Sequence, residues 1–571
     1  MVVVGAGMSG LAAACFFHND AGRSSRVLVL DNCPDFGGHA TRNEFTYGGR
    51  TLLLNGGTSN VEAIDQYSTA SRTYMKAIGV DFDRLTKASN SSREFYDSMK
   101  LGSGTFFCKE VFGEDRLVLG NRGGGAGSTY AEWLAKTPLS AAVQKDLARL
   151  DGDKHPDYMP GLSNAEKIDR LARMSYKDFL LNVVKVHPDA LKLVDNRAGV
   201  TPALNYALSH RGGPPDSVFR GMKLDPYPKV GPLTHIGGEQ HGQDVAFSPG
   251  AQSEFPDGNA TIARLAVRQL IPDAVPGSTM EDVITARVNY GLLDRAGAPV
   301  RLRLNSTAVG VKHVGEPDSA TEVEVTYVRD GKAETVRTAH VVLACYNGFI
   351  PHLCPELGQE QKDALAYGIR RPYVYTSVLI RDWAVFAKLG VRSISCPGMF
   401  HNGFSLGRAA VFGDYKGPRS PQEPMVLAMS MSPLGSGATE RDQQLTGRQE
   451  LLATTFETFE RRVRDQIARP LAGSGFDPAR DIVAITVNRW CHGYAYRYNS
   501  LYEPVEWSLL DSSEKPCYIG RRRFGHVSIA NSDAAATPHT DAAIDEAYRA
   551  VGEQLVVRSR GLGRAVRTAS A

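Results

Sequence analysis

The chain opens with an apolar, β-branched run, Val2-Val3-Val4, that passes at once into the turn Gly5-Ala6-Gly7-Met8-Ser9-Gly10. Such a run predicts a strand buried on both faces. Leu11-Ala12-Ala13-Ala14-Cys15-Phe16-Phe17 then reads as a buried helix, and Arg26-Val27-Leu28-Val29-Leu30 as a second strand ending in Asp31. Further strands are expected at Leu52–Leu54, at Ser306–Val311 and at Thr321–Tyr327, which alternates with period two. A turn at Asp330-Gly331 leads into another at Ala333–Arg337, and His340–Ala344 returns to the first sheet. Near the other end, Val527–Ala530 gives a last strand, and Thr540–Val551 carries its apolar residues at helical spacing.

The order strand, glycine turn, helix, strand and terminal acid is a dinucleotide-binding pattern. Glycines permit the tight turn and let the backbone approach a pyrophosphate, and the helix amino terminus offers unpaired N–H groups to that anion. Asp31 stands about twenty residues beyond Gly10, where the tip of the second strand meets a ribose hydroxyl. A carboxylate there favours a free 2′-hydroxyl, hence FAD or NAD over NADP.

Three segments beyond this unit select the flavin. Asp35-Phe36-Gly37-Gly38-His39-Ala40-Thr41-Arg42 supplies paired glycines followed by basic residues, similar to the second glycine motif of flavin amine oxidoreductases. The strand end Asn55-Gly56-Gly57-Thr58 is similar to the segment that family has near the isoalloxazine. Asn531-Ser532-Asp533 closes the last strand, and the helix from Thr540-Asp541 would aim its positive end at the flavin pyrimidine oxygens. In that superfamily the acid of the last strand, Asp533 here, bonds the ribityl chain. The expected FAD contacts are therefore Gly5, Gly7, Met8, Ser9, Gly10, Asp31, Asn32, Gly37, Gly38, His39, Arg42, Asn55, Gly56, Gly57 and Thr58. To these are added Val309, Ala344, Cys345, Asn347, Trp490, Asn531, Asp533, Thr540 and Asp541.

The fold class expected is α/β: a Rossmann-type FAD-binding domain of the glutathione-reductase and amine-oxidase kind with a discontinuous mixed α+β substrate domain. Residues 1–90, 251–350 and 515–557 would form the first, and 91–250 and 351–514 the second. The basic tail 558–571 is expected to fray.

The chain resembles the bacterial spermidine dehydrogenase-like flavoproteins, within the flavin amine oxidoreductases. The resemblance rests on Gly37–Phe45, Phe255–Leu265, Val341–Asn347, Val487–Trp490, Gly493–Tyr496 and Ala530–Asp533, and is weak between about 100 and 250. It implies oxidation of an amine, a polyamine such as spermidine first, by hydride transfer to flavin N5, with the imine then hydrolysed. It also implies an aromatic cage, for which Trp490, Tyr494 and Tyr496 are the candidates. Glu239, Glu503 and Glu44 are candidates for the distant charges of a polyamine. Pro538-His539-Thr540-Asp541 departs from the family's pattern beside the flavin, which leaves the substrate open. Some members carry haem, but no spacing selects an axial ligand from His39, His235, His241, His492 and His539. The electron acceptor stays open among oxygen, quinone and haem. A desaturase or isomerase acting on an apolar ligand, and a non-catalytic flavoprotein, are the alternatives on the same scaffold.

Composition narrows the rest. With 571 residues, 42% hydrophobic and 22% charged, the chain is an ordinary globular one with room for more than one core. A net charge of +3 and the lack of a basic stripe argue against nucleic acid. The eight cysteines include no Cys-x-x-Cys pair, so a zinc site is not expected. No apolar run reaches the ~18 residues of a membrane span. The first strand begins directly after Met1, so an upstream segment is expected: the chain is cytoplasmic as it stands, periplasmic or exported if a targeting segment precedes it.

Overall fold

Because Val2–Val4 (β1) is apolar at every position, it can serve only as an inner strand, and the structure buries all three residues. It lies between Val27–Leu30 (β2) and the strand Val341–Leu343 in a parallel sheet. Val527–Ile529 and Val300–Arg303 complete the edges, giving the order Val527–Ile529, Val341–Leu343, β1, β2, Val300–Arg303. The structure is a computed structural model that describes residues 1–22, 24–62, 64–120, 129–150, 156–194, 196–209, 222, 252–509 and 512–569.

Helix Met8–Asp20 (α1) follows β1 and buries about two whole turns, Ser9 to Cys15. It packs on the helix Ala260–Leu270 and on the long helix Thr540–Ala569 (α2). That last helix runs through Ala569, so the backbone of the segment expected to fray is helical as far as that residue. The predicted meander is present as Ser306–His313, Val323–Arg329 and Lys332–Thr338, an antiparallel three-stranded sheet. Leu52–Leu54 sits within the hairpin strand Arg50–Asn55, paired with Arg42–Tyr47.

The second layer is a seven-stranded sheet. Arg371–Ile380 (β3) pairs on one side with Met425–Met431 and on the other with the edge strand Ile482–Tyr494 (β4), both antiparallel. Gly403–Leu406, Val391–Ser395, Gly102–Phe107 and Arg116–Leu119 extend it outward. A parallel nucleotide-type sheet and a mostly antiparallel sheet thus face a shared cavity. The parallel sheet draws its strands from residues 2–30, 300–343 and 527–529.

Two glycines fix how tightly α1 sits on the parallel sheet. A methyl added to Gly10 would lie 1.8 Å from the Gly5 carbonyl oxygen, and one on Gly5, whose φ is +107°, would lie 2.8 Å from the Ala344 oxygen. Gly10→Ala is therefore expected to destabilise the protein by about 1–3 kcal/mol through overpacking. Gly552→Ala, on α2 with nothing within 4 Å of the added methyl, should instead stabilise it by up to about 1 kcal/mol. Urea midpoints of the two variants against wild type check both signs.

Candidate functional site

At the carboxyl ends of the parallel strands lies a cavity of about 1400 Å³. Ordinary ligand pockets run to about 300–1,000 Å³, so this one has room for more than a single small molecule. One wall is the nucleotide-type turn: Gly5, Gly7, Met8 and Ser9, then Asp31 and Asn32 from the end of β2. Gly37, Gly38 and His39 continue it, with Gly57 and Thr58 beyond. Ala344, Cys345, Asn531 and Thr540 line the same wall from distant parts of the chain.

These residues fit a dinucleotide. Helix α1 has Gly7 at its N-cap and no side-chain cap, so its first N–H groups have no side-chain acceptor. A methyl on Gly7 would touch only the Gly38 Cα, at 3.9 Å, and Gly38 itself is in the left-handed region at φ +58°. The Asp31 carboxylate accepts the Ala6 N–H at 2.6 Å and the Cys33 N–H at 2.8 Å. Burial pushes its pKa up against the pull of those two donors. Ser9 Oγ accepts the Asn531 N–H at 2.9 Å, which ties the last strand to the first helix.

The opposite wall is the face of the antiparallel sheet. Residues 371, 373 and 375 of β3 share one face by period two, so Arg371, Tyr373 and Tyr375 all line the cavity. Across from them, β4 contributes Trp490, His492 and Tyr494. Tyr373 and Tyr494 meet edge to face at 5.1 Å, and the Tyr375 and Tyr494 hydroxyls are 3.0 Å apart. Burial raises the pKa of both hydroxyls, so neither ionises near neutral pH. The Trp490 indole donates to the Gly56 carbonyl at 2.7 Å and packs edge-on against His39 at 4.6 Å. His39 is pulled down to about 3 and His492 to about 4, each chiefly by burial and then by neighbouring guanidiniums. Both rings are neutral at pH 7.

Several expected contacts lie elsewhere, each for a local reason. Gly10 is a packing residue beneath the turn. Arg42 turns from the cavity to Asp257, Glu44 and the Ile284 carbonyl. Asn55 donates to the Gly57 carbonyl, and Gly56 serves as the acceptor for Trp490. Val309 is 47% exposed: the pairing of its strand shifts register between Ala308 and Gly310, so Thr307 and Ala308 face the cavity instead.

Asp533 does not line the cavity. Its carboxylate pairs with Arg370 at 2.8 Å and accepts the Asn347 N–H at 3.1 Å. Asn347 in turn accepts from Asn531, so the pair positions its neighbours. Asp541 is buried one residue past Thr540, and Thr540 accepts a hydrogen bond from Asn259. Strand β4 ends at Tyr494, so the alternation stops before Tyr496. That residue instead donates to Glu503, which also accepts from Tyr367 and the Asn499 N–H; burial raises the Glu503 pKa. Glu44 is exposed beside Arg42. Glu239, His235 and His241 lie outside the described residues.

The sequence reading missed Arg370, Arg371, Tyr373 and Tyr375, and also Glu62, whose carboxylate lies 3.8 Å from His539 Nδ1 on the cavity wall. Arg497 contacts the other nitrogen of that imidazole at 2.9 Å. The alternation Arg371-x-Tyr373-x-Tyr375 was a usable signal for the strand face. No group of three His, Cys, Asp or Glu able to hold a metal occurs among the described residues. Nor is any described helix long and apolar enough to cross a membrane.

Comparison with known proteins agrees with this architecture. Residues 3–77 match the NAD(P)-binding Rossmann-like domain. No curated protein sequence matches the chain. Among solved structures, a single-substitution variant of a putrescine oxidase aligns over 97% of this chain and 98% of its own, at 15% identity and a TM-score of 0.51. Cyclohexylamine oxidase from Brevibacterium oxydans aligns over 97% and 98%, at 11% identity and a TM-score of 0.50. The fold is similar to that of these two oxidases.

The Arg370–Asp533 pair is nearly buried, with side-chain exposures of 9% and 10%. Arg370→Met, leaving the carboxylate alone, is expected to cost about 3 kcal/mol, whereas adding Asp533→Asn should restore a large part of it. Denaturation of the two single variants and the double variant closes the cycle.

Proposed function

We propose that the chain is an FAD-dependent oxidoreductase that oxidises an amine. The observation carrying this reading is the wall of aromatic side chains, Trp490, Tyr373, Tyr375 and Tyr494, set opposite a dinucleotide cradle in one cavity. When bound, FAD would supply the acceptor for a hydride equivalent from the carbon beside the amine nitrogen. Gly5 to Ser9, Gly37, Gly38 and Asp31 would hold it, with α1 facing its phosphates. The nitrogen must give up its proton before its lone pair can assist that transfer. A desolvating aromatic wall disfavours the ammonium form. The Tyr375 and Tyr494 hydroxyls, held together and un-ionised, present no phenolate that would favour the ammonium form. The imine formed would leave and hydrolyse in water.

The charged lining speaks only against a wholly uncharged apolar ligand, which gives guanidiniums nothing to bind. The family resemblance alone would make the amine a polyamine. Among the described residues the cavity wall offers only Glu62 and Asp31 as carboxylates, and Asp31 stands at the nucleotide end.

Purified protein incubated with FAD should be yellow. Adding a small primary amine without oxygen should bleach the visible flavin band. Trp490→Ala should keep the cofactor yet slow that bleaching by about tenfold or more, equivalent to ~1.4 kcal/mol in the barrier. Protein that stays colourless with excess FAD would overturn the flavin, and a band that no amine in a panel bleaches would overturn the amine.

A further inference from the structure

Strands β3 and β4 do not pair evenly over the cavity. Tyr373 pairs with Trp490 and Arg371 with Tyr494, so the single residue Pro372 stands opposite Cys491, His492 and Gly493. Such a bulge re-aims a side chain, here His492, which lines the cavity with Trp490 and Tyr494 on either side of it in the chain. Arg448, on the helix Glu440–Ala453, fastens the bulge to both strands: it donates to the Cys491 carbonyl at 3.0 Å and to the Arg370 carbonyl at 3.0 Å. A methyl at Gly493 would lie 2.7 Å from the Arg371 carbonyl oxygen, so the bulge closes on β3 with no room for a side chain there. His492 then meets two further rings of the cavity lining. Its ring centre is 4.5 Å from that of Tyr346 and 5.5 Å from that of Phe349, which lies edge-on to both. Tyr346 is anchored by its hydroxyl, which donates to the Gly368 carbonyl at 3.3 Å, whereas Phe349 is 50% exposed.

Three rings in contact thus lead from solvent into the cavity that holds the aromatic wall and the dinucleotide cradle. None of them belongs to the wall assigned above to the amine. The His492 Nδ1 is buried with no partner among the described residues, which leaves Nε2 as the nitrogen the ring can offer. Flat rings stack on such a set, and a neutral imidazole can donate one N–H to an oxygen at a ring's edge. A quinone has both the flat face and the edge oxygen. We propose that Phe349, Tyr346 and His492 form an outer site for a quinone electron acceptor. Oxidation of the amine to the imine releases two electrons and two protons. The quinone takes up both pairs, its two carbonyls become hydroxyls, and it leaves as the hydroquinone. This rests on the flavin-dependent reading above and names its oxidant.

For the test, the holoenzyme is reduced without oxygen by just enough dithionite, so that no amine is needed, and then mixed with subsaturating menadione or with dioxygen. Menadione should restore the visible flavin band. In Phe349→Ala the rate with menadione, divided by the rate with dioxygen, should fall about two- to tenfold, the scale of one lost aromatic pair. Phe349→Tyr should recover most of that loss. Binding gives a second readout: menadione added to the oxidised holoenzyme should quench its tryptophan fluorescence, with a higher midpoint in Phe349→Ala and in His492→Ala. FAD content and melting temperature show that each variant is folded. No reoxidation by menadione, or an unchanged ratio or midpoint in folded Phe349→Ala, overturns the proposal. So does a loss confined to the reaction with benzylamine, which would give the three rings to the substrate. If amines bleach the band but menadione does not restore it, the quinone site falls and amine oxidation stands. If menadione restores it through Phe349 while no amine bleaches it, amine oxidation falls and the quinone site stands.

Discussion

The cavity exists because bare backbone occupies the carboxyl edge of the parallel sheet. Gly10 lies over the Gly5 carbonyl, Gly5 lies against the Ala344 carbonyl, and neither position has space for a side chain. That crowding brings α1 down onto the sheet and aims its amino terminus at the ligand space. Asn531 then reaches Ser9 with its N–H and the Cys345 carbonyl with its side chain. Three segments hundreds of residues apart are thereby clamped around one helix end. Hydrophobic burial of Val3, Leu11, Val29 and Val342 supplies the cohesion, but it does not choose the geometry. The glycines do.

The second sheet is placed by a smaller set of contacts. Trp490 reaches across the cavity to the Gly56 carbonyl, and Gly57 packs where a methyl would stand 2.1 Å from the His39 oxygen. On the other side of this loop, Gly258 at φ +66° packs so closely that a methyl there would stand 2.6 Å from the Thr58 carbonyl oxygen. The aromatic wall is therefore referenced to the nucleotide cradle through one indole and a short glycine loop. A single neutral hydrogen bond contributes only about 1 kcal/mol to stability. Its structural consequence is larger, because it sets the spacing between the two walls.

How much of this was legible in the chain depends on how local the signal was. Val2 to Asp31 could be read because strand, turn and helix lie within one short β–α–β unit whose glycines have a steric reason. The return strand at Val341 and the last strand at Val527 could be read because parallel inner strands are apolar throughout. Roles that depend on a distant partner could not be read. Asp533 has the position of a ribityl-binding acid, but its partner is Arg370, and nothing near Asp533 in the chain announces a guanidinium. Tyr496 continues the alternation of Trp490 and Tyr494 on paper, yet the strand has ended, so its hydroxyl goes to Glu503. Val309 fails for a similar reason, since a register shift of its strand cannot be seen in one sequence.

The protonation states of the cavity wall bear on how an amine would be activated there. His39 and His492 are held neutral by burial and by adjacent guanidiniums, and the Tyr375 and Tyr494 hydroxyls are held neutral by burial. None of these four rings changes its charge across the neutral range. An entering ammonium would meet no phenolate from this pair to hold its proton, and a desolvating wall favours the uncharged amine that hydride transfer requires. The same burial that keeps the aromatic face un-ionised would thus also ready the nitrogen for the transfer.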